Sequence, residues 1–178
     1  MISGRVWKVG DHINTDLIIA GRYLDNYDMK KIAAHAMEDV DIHFSANVRK
    51  GDIMVAGRNF GCGSSREQAP LVLKECGISA VVAQSFSRIF YRNALNVGLS
   101  LVVCAECTES FNAGDVLNLD LKKGTIGTVG TDREIKFSPL PESLLEIVEC
   151  GGLVPYMKSR LGPRLFQSGQ EKSAPKGL

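Results

Sequence analysis

The stretch DIMVAGRNFGCGSSREQAPLVLKECGISAVVAQSFSRIFYRNALNVGLSLVV, residues 52–103, decides the fold. Asp52 to Gly57 is a short apolar run bounded by glycine and reads as a buried strand. After it, Ala69, Val72, Leu73 and Cys76 share one face of a helix, and Ser79 to Ala83 is a second strand. Phe86, Ile89, Phe90 and Ala94 then recur at helical spacing over Phe86 to Asn96, and Leu99 to Val103 closes the series as a third strand. Parallel neighbours need crossover connections, so this order predicts a small α/β unit: a mostly parallel sheet with helices packed against it.

Working outward, Gly4 to Val9 reads as a short strand leading into a polar stretch, Asp11 to Asp16, with little helical or strand signal; such stretches tend to carry sites. Asp28 can cap a helix reaching about Met37, with Ile32, Ala33, Ala36 and Met37 on its apolar side. From Asp115 the pattern changes. Val116 to Leu121, Ile126 to Val129 and Glu134 to Phe137 are separated by Lys123-Gly124 and Gly130-Thr131-Asp132, and predict antiparallel hairpins. Pro141 sits where a further helix can begin, with Leu144, Leu145 and Val148 on its apolar side. From Gly162 the chain turns to Gly, Ser, Lys, Gln and Pro. The expected organisation is one domain over residues 1–165 and a disordered tail over 166–178.

The composition supports one domain and narrows the function. A chain of 178 residues with 44% hydrophobic residues can bury a sizeable core. Its net charge of +1, with both signs interspersed, gives no basic stripe for nucleic acid and no polybasic membrane anchor. No apolar run approaches the roughly 18 residues of a membrane span, and the first residues lack a signal-peptide pattern, so a cytoplasmic location is expected. Five cysteines without a secretory signal predict reduced thiols rather than a disulfide framework.

The residues richest in chemistry are Gly61 to Glu67. Gly61 and Gly63 let the backbone take positive φ and let another group approach closely. Ser64 and Glu67 have the spacing of a capping box for the following helix, whose first N–H groups would favour an anion. Arg66 adds a planar cation matched to a carboxylate. Taken alone, Ser64 reads first as a helix cap and Arg66 as a solvated surface charge, because capping is common. The run has neither G-x-x-x-x-G-K-[ST] nor G-x-G-x-x-G, which weakens a phosphate-loop reading.

Three segments carry a resemblance that changes this balance. Gly57 to Ala69, GRNFGCGSSREQA, is similar to the signature of aconitase-family small subunits and swivelling domains. Asn14 to Leu24, NTDLIIAGRYL, resembles the corresponding segment of the isopropylmalate dehydratase and homoaconitase small subunits of that family, and Ser85 to Leu99, SFSRIFYRNALNVGL, resembles the family's next helix. The resemblance implies a swivelling β/β/α domain and an active site split between two chains. A large subunit would carry a [4Fe-4S] cluster whose open iron binds the hydroxyl and a carboxylate of a 2-hydroxy acid. On this chain it implies Ser64 as the base, acting as an alkoxide on the C–H beside a carboxylate, with Ser65 and Arg66 holding carboxylate oxygens. Asp16 would have a supporting catalytic role. An alkoxide needs a nearby positive charge, which Arg66 and a helix start would supply.

The segment Tyr23-Leu24-Asp25-Asn26-Tyr27-Asp28 occupies the place that, in the family, contacts the variable side of the substrate, with Arg22, Tyr23, Leu24, Asp25 and Asn26 as the substrate-binding candidates. Asp25 would repel a third carboxylate unless Arg22, Lys30 or Lys31 offsets it, which favours a dicarboxylate with an apolar substituent such as isopropylmalate. Homoaconitase and 2,3-dimethylmalate dehydratase small subunits remain alternatives, as does a non-catalytic module that captures an anion, and self-association of isolated small subunits stays open. Cys104-Ala105-Glu106-Cys107 offers two thiolates where a cluster or structural zinc needs about four, so no metal is assigned to this chain. Cys62 lies beside the presumed base without a defined role. His12, His35 and His43 form no ligand pair and receive none either.

Overall fold

The computed structural model describes residues 1–25, 28–131 and 133–161. Strands β1 (Ile2–Lys8), β2 (Ile53–Ala56), β3 (Ala80–Ala83) and β4 (Ser100–Val103) run parallel, each hydrogen-bonded to the next in sequence. On the other side of β1, β5 (Val116–Asp120) pairs antiparallel, followed by β6 (Thr125–Thr128) and β7 (Glu134–Lys136) as hairpins. One seven-stranded sheet results, in the order β4-β3-β2-β1-β5-β6-β7.

The strand sequences follow from burial on both faces. Every residue of β2 and β3 is buried, so these strands are continuous apolar runs rather than alternating ones. Met54, Ala56, Val81, Ala83 and Leu101 face one core layer, built with the helices that connect the parallel strands. Ile53, Val55, Ala80, Val82 and Val102 face a second layer with Leu117, Leu119, Ile126 and Ile135. The antiparallel half therefore folds its apolar face over the back of the parallel half.

Between β1 and β2 lie α1 (Thr15–Ile18), a 3-10 turn (Gly21–Tyr23), α2 (Met29–Ala33) and α3 (Phe44–Asn47). The helix expected through Met37 ends at Ala33, because the chain tightens into His35 N–H to Ile32 and Ala36 N–H to Ala33 carbonyl turns and Met37 takes φ 57°. Ile32, Ala33, Ala36 and Met37 are nevertheless all buried, so the apolar pattern holds while the helix does not. The crossovers are α4 (Gln68–Cys76) and α5 (Arg88–Val97), and α6 (Cys107–Ser110) follows β4. Within α5, Phe90 and Ala94 are buried, but Ile89, expected on the same face, is 48% exposed. α7 (Glu142–Glu149) starts after Pro141 as expected, and α8 (Leu153–Leu161) was not foreseen. The expected tail over 166–178 lies outside the described residues.

The cysteine expectation is corrected for one pair: Cys104 and Cys107 form a disulfide. The tight turn from β4 into α6 brings their Cα atoms to 5.5 Å, inside the spacing a disulfide spans. Cys62, Cys76 and Cys150 are free thiols. Among the described residues, no helix is long and apolar enough to cross a membrane.

Candidate active site

The site is assembled where the loop after β2 is laid along the segment after β1. Asn14 caps α1, its Oδ1 accepting the Leu17 N–H at 2.8 Å. Beside it the Thr15 N–H donates to the Cys62 carbonyl (2.8 Å) and the Gly61 N–H to the Ile13 carbonyl (2.7 Å). Thr15 is 1% exposed, and its hydroxyl donates to the Ser64 carbonyl at 3.2 Å. These bonds fix the backbone of the loop from within and leave Ser64 and Ser65 exposed.

Glycine is required twice in this loop. Gly61 has φ +73°, and a Cβ there would sit 2.1 Å from Phe90 Cγ; Gly63 has φ +95° and lies against the Thr15 hydroxyl. The loop is closed from the other side by Phe60, whose N–H donates to the Ser85 carbonyl at 3.0 Å and whose carbonyl accepts from Ser87 N–H at 2.9 Å. The rings of Phe60 and Phe90 meet edge to face, 5.3 Å apart. The three segments noted in the sequence thus converge on one place.

Arg66 is the anchored cation. Its Nη1 donates to Asp16 Oδ1 at 2.5 Å and to the Ile19 carbonyl at 3.2 Å, and the Arg66 side chain is only 19% exposed. Ser64 and Ser65 are exposed, and their hydroxyls have no hydrogen-bond partner among the described residues. The capping box expected from Ser64 and Glu67 does not form. Glu67 is itself the residue preceding α4, in helical geometry and without a side-chain cap, while Ser64 is held three residues upstream by Thr15. At the edge of the loop, Asp11 accepts from the Arg58 backbone N–H (2.7 Å) and guanidinium (3.0 Å), and these bonds hold its carboxyl below the usual range.

The residues expected to meet the variable part of a substrate lie next door. Gly21 abuts Arg66, whose Nη2 would be 3.5 Å from a Cβ at that position. From there Arg22, Tyr23 and Asp25 line a cleft of about 860 Å³ together with Lys31, Ile32 and His35. Leu24 is half-buried against the core, and Asn26 lies outside the described residues. The sequence did not disclose that Glu38 is the hub of this wall. It accepts from Tyr23 Oη at 2.7 Å and Arg22 Nη2 at 3.0 Å, and pairs with His35 Nδ1 at 2.6 Å. Those bonds, the tyrosine's first, hold the Glu38 carboxyl down at about 2. Asp39 takes a second bond from Arg22 at 2.8 Å. The His35/Glu38 spacing of three was the available signal, but the sequence reading gave His35 no role.

Among the described residues, no three His, Cys, Asp or Glu side chains come together as a metal site. With Cys104 and Cys107 tied to each other, the described residues do not fit an iron–sulfur cluster.

Comparison with known proteins places this geometry. The aconitase C-terminal domain family matches residues 11–106, the span that contains every contact of the Ser64 loop described above. The chain is 50% identical to the 3-isopropylmalate dehydratase small subunit 1 of Methanopyrus kandleri, over 94% of this chain and 98% of that one. It is 49% identical to the isopropylmalate/citramalate isomerase small subunit of Methanocaldococcus jannaschii, over 90% and 96% of the two chains. The crystal structure of a 3-isopropylmalate dehydratase from the same organism superposes with a TM-score of 0.84 at 45% identity, covering 96% of this chain and 99% of that one. With the fold, the loop and the sequence in agreement, the chain belongs to the aconitase family, among its 3-isopropylmalate dehydratase small subunits.

Proposed function

We propose that this chain is the small subunit of a hydro-lyase that interconverts 2- and 3-isopropylmalate by dehydration and rehydration, a step of leucine synthesis in the cytoplasm, and that it supplies the base and a carboxylate clamp. The observation that carries this reading is the contrast within one loop: Arg66 is locked between Asp16 and the Ile19 carbonyl, while the Ser64 and Ser65 hydroxyls stand bare toward solvent. Ser64 Oγ takes the proton from the carbon beside a carboxylate as the substrate hydroxyl departs, and returns it on rehydration. Serine is a weak base in water, so the Arg66 guanidinium is needed to stabilise the charge it carries when deprotonated. Ser65 and the free edge of Arg66 hold carboxylate oxygens, and Asp16 fixes the guanidinium plane.

The rest of the site is assigned to a large subunit, together with the [4Fe-4S] cluster for which this chain's described residues offer no ligand set. The name of the M. jannaschii relative pairs isopropylmalate with citramalate, which favours an alkyl substituent over a third carboxylate. The test is to combine the chain with a cluster-loaded large subunit and assay isopropylmalate, citramalate, homocitrate and dimethylmalate. Turnover of isopropylmalate that requires both chains is expected. An assembled complex that turns over homocitrate but not isopropylmalate would contradict the assignment.

A further inference from the structure

A cation free in the cleft beside Arg66 would attract a substrate bearing a third carboxylate, so the state of each cation in that wall decides what the cleft accepts. Lys31 Nζ lies 3.9 Å from Asp28 Oδ2. Arg22 is committed more completely: Nη2 bonds Glu38 Oε1 at 3.0 Å and Asp39 Oδ1 at 2.8 Å, and its guanidinium lies over the Tyr23 ring at 4.9 Å. Tyr23 is fixed in turn, stacked on His35 with ring centroids 3.9 Å apart and bonded through its hydroxyl to the same Glu38 oxygen. Two carboxylates that do not themselves line the cleft thus neutralise Arg22. Among the described residues, Asp25, exposed on the cleft wall, has no such neutralising partner, and Ile32 supplies buried apolar surface.

We propose that Glu38 and Asp39 are specificity-determining residues: by holding and neutralising Arg22 they leave a cleft that takes an uncharged alkyl group and rejects a carboxylate. Neither residue touches the reacting atoms; both act by positioning Arg22 and Tyr23. This inference rests on the hydro-lyase reading above and adds to it the origin of the substrate class. Repulsion and pairing over a few ångströms in partly wet surroundings are enough to change a selectivity ratio by about tenfold.

The test is the ratio of kcat/KM for isopropylmalate to that for homocitrate, measured on the assembled complex. Glu38→Gln/Asp39→Asn keeps the shapes and removes both charges. We expect this double variant to move the ratio toward homocitrate by about tenfold, mainly through a lower KM for homocitrate. Adding Arg22→Ala should abolish that gain. Asp39→Asn alone leaves the Glu38 bonds to Tyr23 and His35 in place, so it reports even if the double variant folds poorly, and it should shift the ratio in the same direction by a smaller factor. A ratio unmoved in every active variant, or a shift that persists without Arg22, would overturn the proposal. The wild-type complex separates the two levels of the account: if it does not turn over isopropylmalate, the hydro-lyase assignment fails and takes this inference with it, whereas an active wild type with unmoved variants sinks the inference alone.

Discussion

Lysine at position 66 would keep a positive charge but could not bond Asp16 and the Ile19 carbonyl while presenting a second edge to a ligand, as the arginine does. Arg66→Lys is therefore expected to raise KM by about tenfold or more, with a smaller effect on kcat, in steady-state assays of the complex. A changed kcat at constant KM would mean that Arg66 does not clamp the ground-state substrate. Glu38 makes a second residue-level prediction. Its carboxyl is held at about 2, against an ordinary 4.5, by Tyr23, His35 and Arg22. The sign follows: the stabilisation is fully present above the ordinary value and is lost as pH falls through about 2. An NMR titration of the Glu38 carboxyl should show this low midpoint, and an ordinary midpoint would mean the network does not persist in solution. Ser64, Arg66 and Asp16 were legible in the sequence only through their resemblance to a family, since spacing alone made Ser64 a cap. Glu38 was not legible, because its partners Arg22 and Tyr23 lie 16 and 15 positions away and meet it only through the folded loop.

At the scale of elements, the Ser64 loop keeps its shape because α5 packs directly under Gly61. Gly61→Ala would place a methyl group into the Phe90 ring at a left-handed backbone position. It should destabilise the chain by at least about 2 kcal/mol in denaturant unfolding, combining the left-handed penalty with overpacking. A cost below about 0.5 kcal/mol, as for an ordinary surface change, would show that the loop does not depend on this contact. The buried strands and the α4 and α5 crossovers were visible in the sequence, since long apolar runs and periodic faces are set by burial. The short helices were not. α1 and α3 are each four residues long and stabilised by tertiary contacts, with no periodicity to read. The helix from Asp28 was read too long for the opposite reason: burial of Ala36 and Met37 mimics a helical stripe although the backbone has left the helix.

At the scale of the whole molecule, the curled sheet buries an apolar layer on each face and leaves the chemistry on loops beyond the strands β1 and β2. There, among the described residues, the chain presents a clamped arginine and serine hydroxyls without a hydrogen-bond partner, which under the proposed function a second chain completes as a site. The structure also separates the two roles that the sequence left competing at Ser64. The hydroxyl caps no helix, so Ser64→Ala should change stability by less than about 0.5 kcal/mol. The central measurement is the turnover of isopropylmalate by Ser64→Ala small subunit assembled with excess cluster-loaded large subunit, with assembly checked by gel filtration. The account predicts kcat lower by at least about a hundredfold and KM within a few-fold of wild type; near-wild-type kcat in the assembled complex would contradict Ser64 as the base.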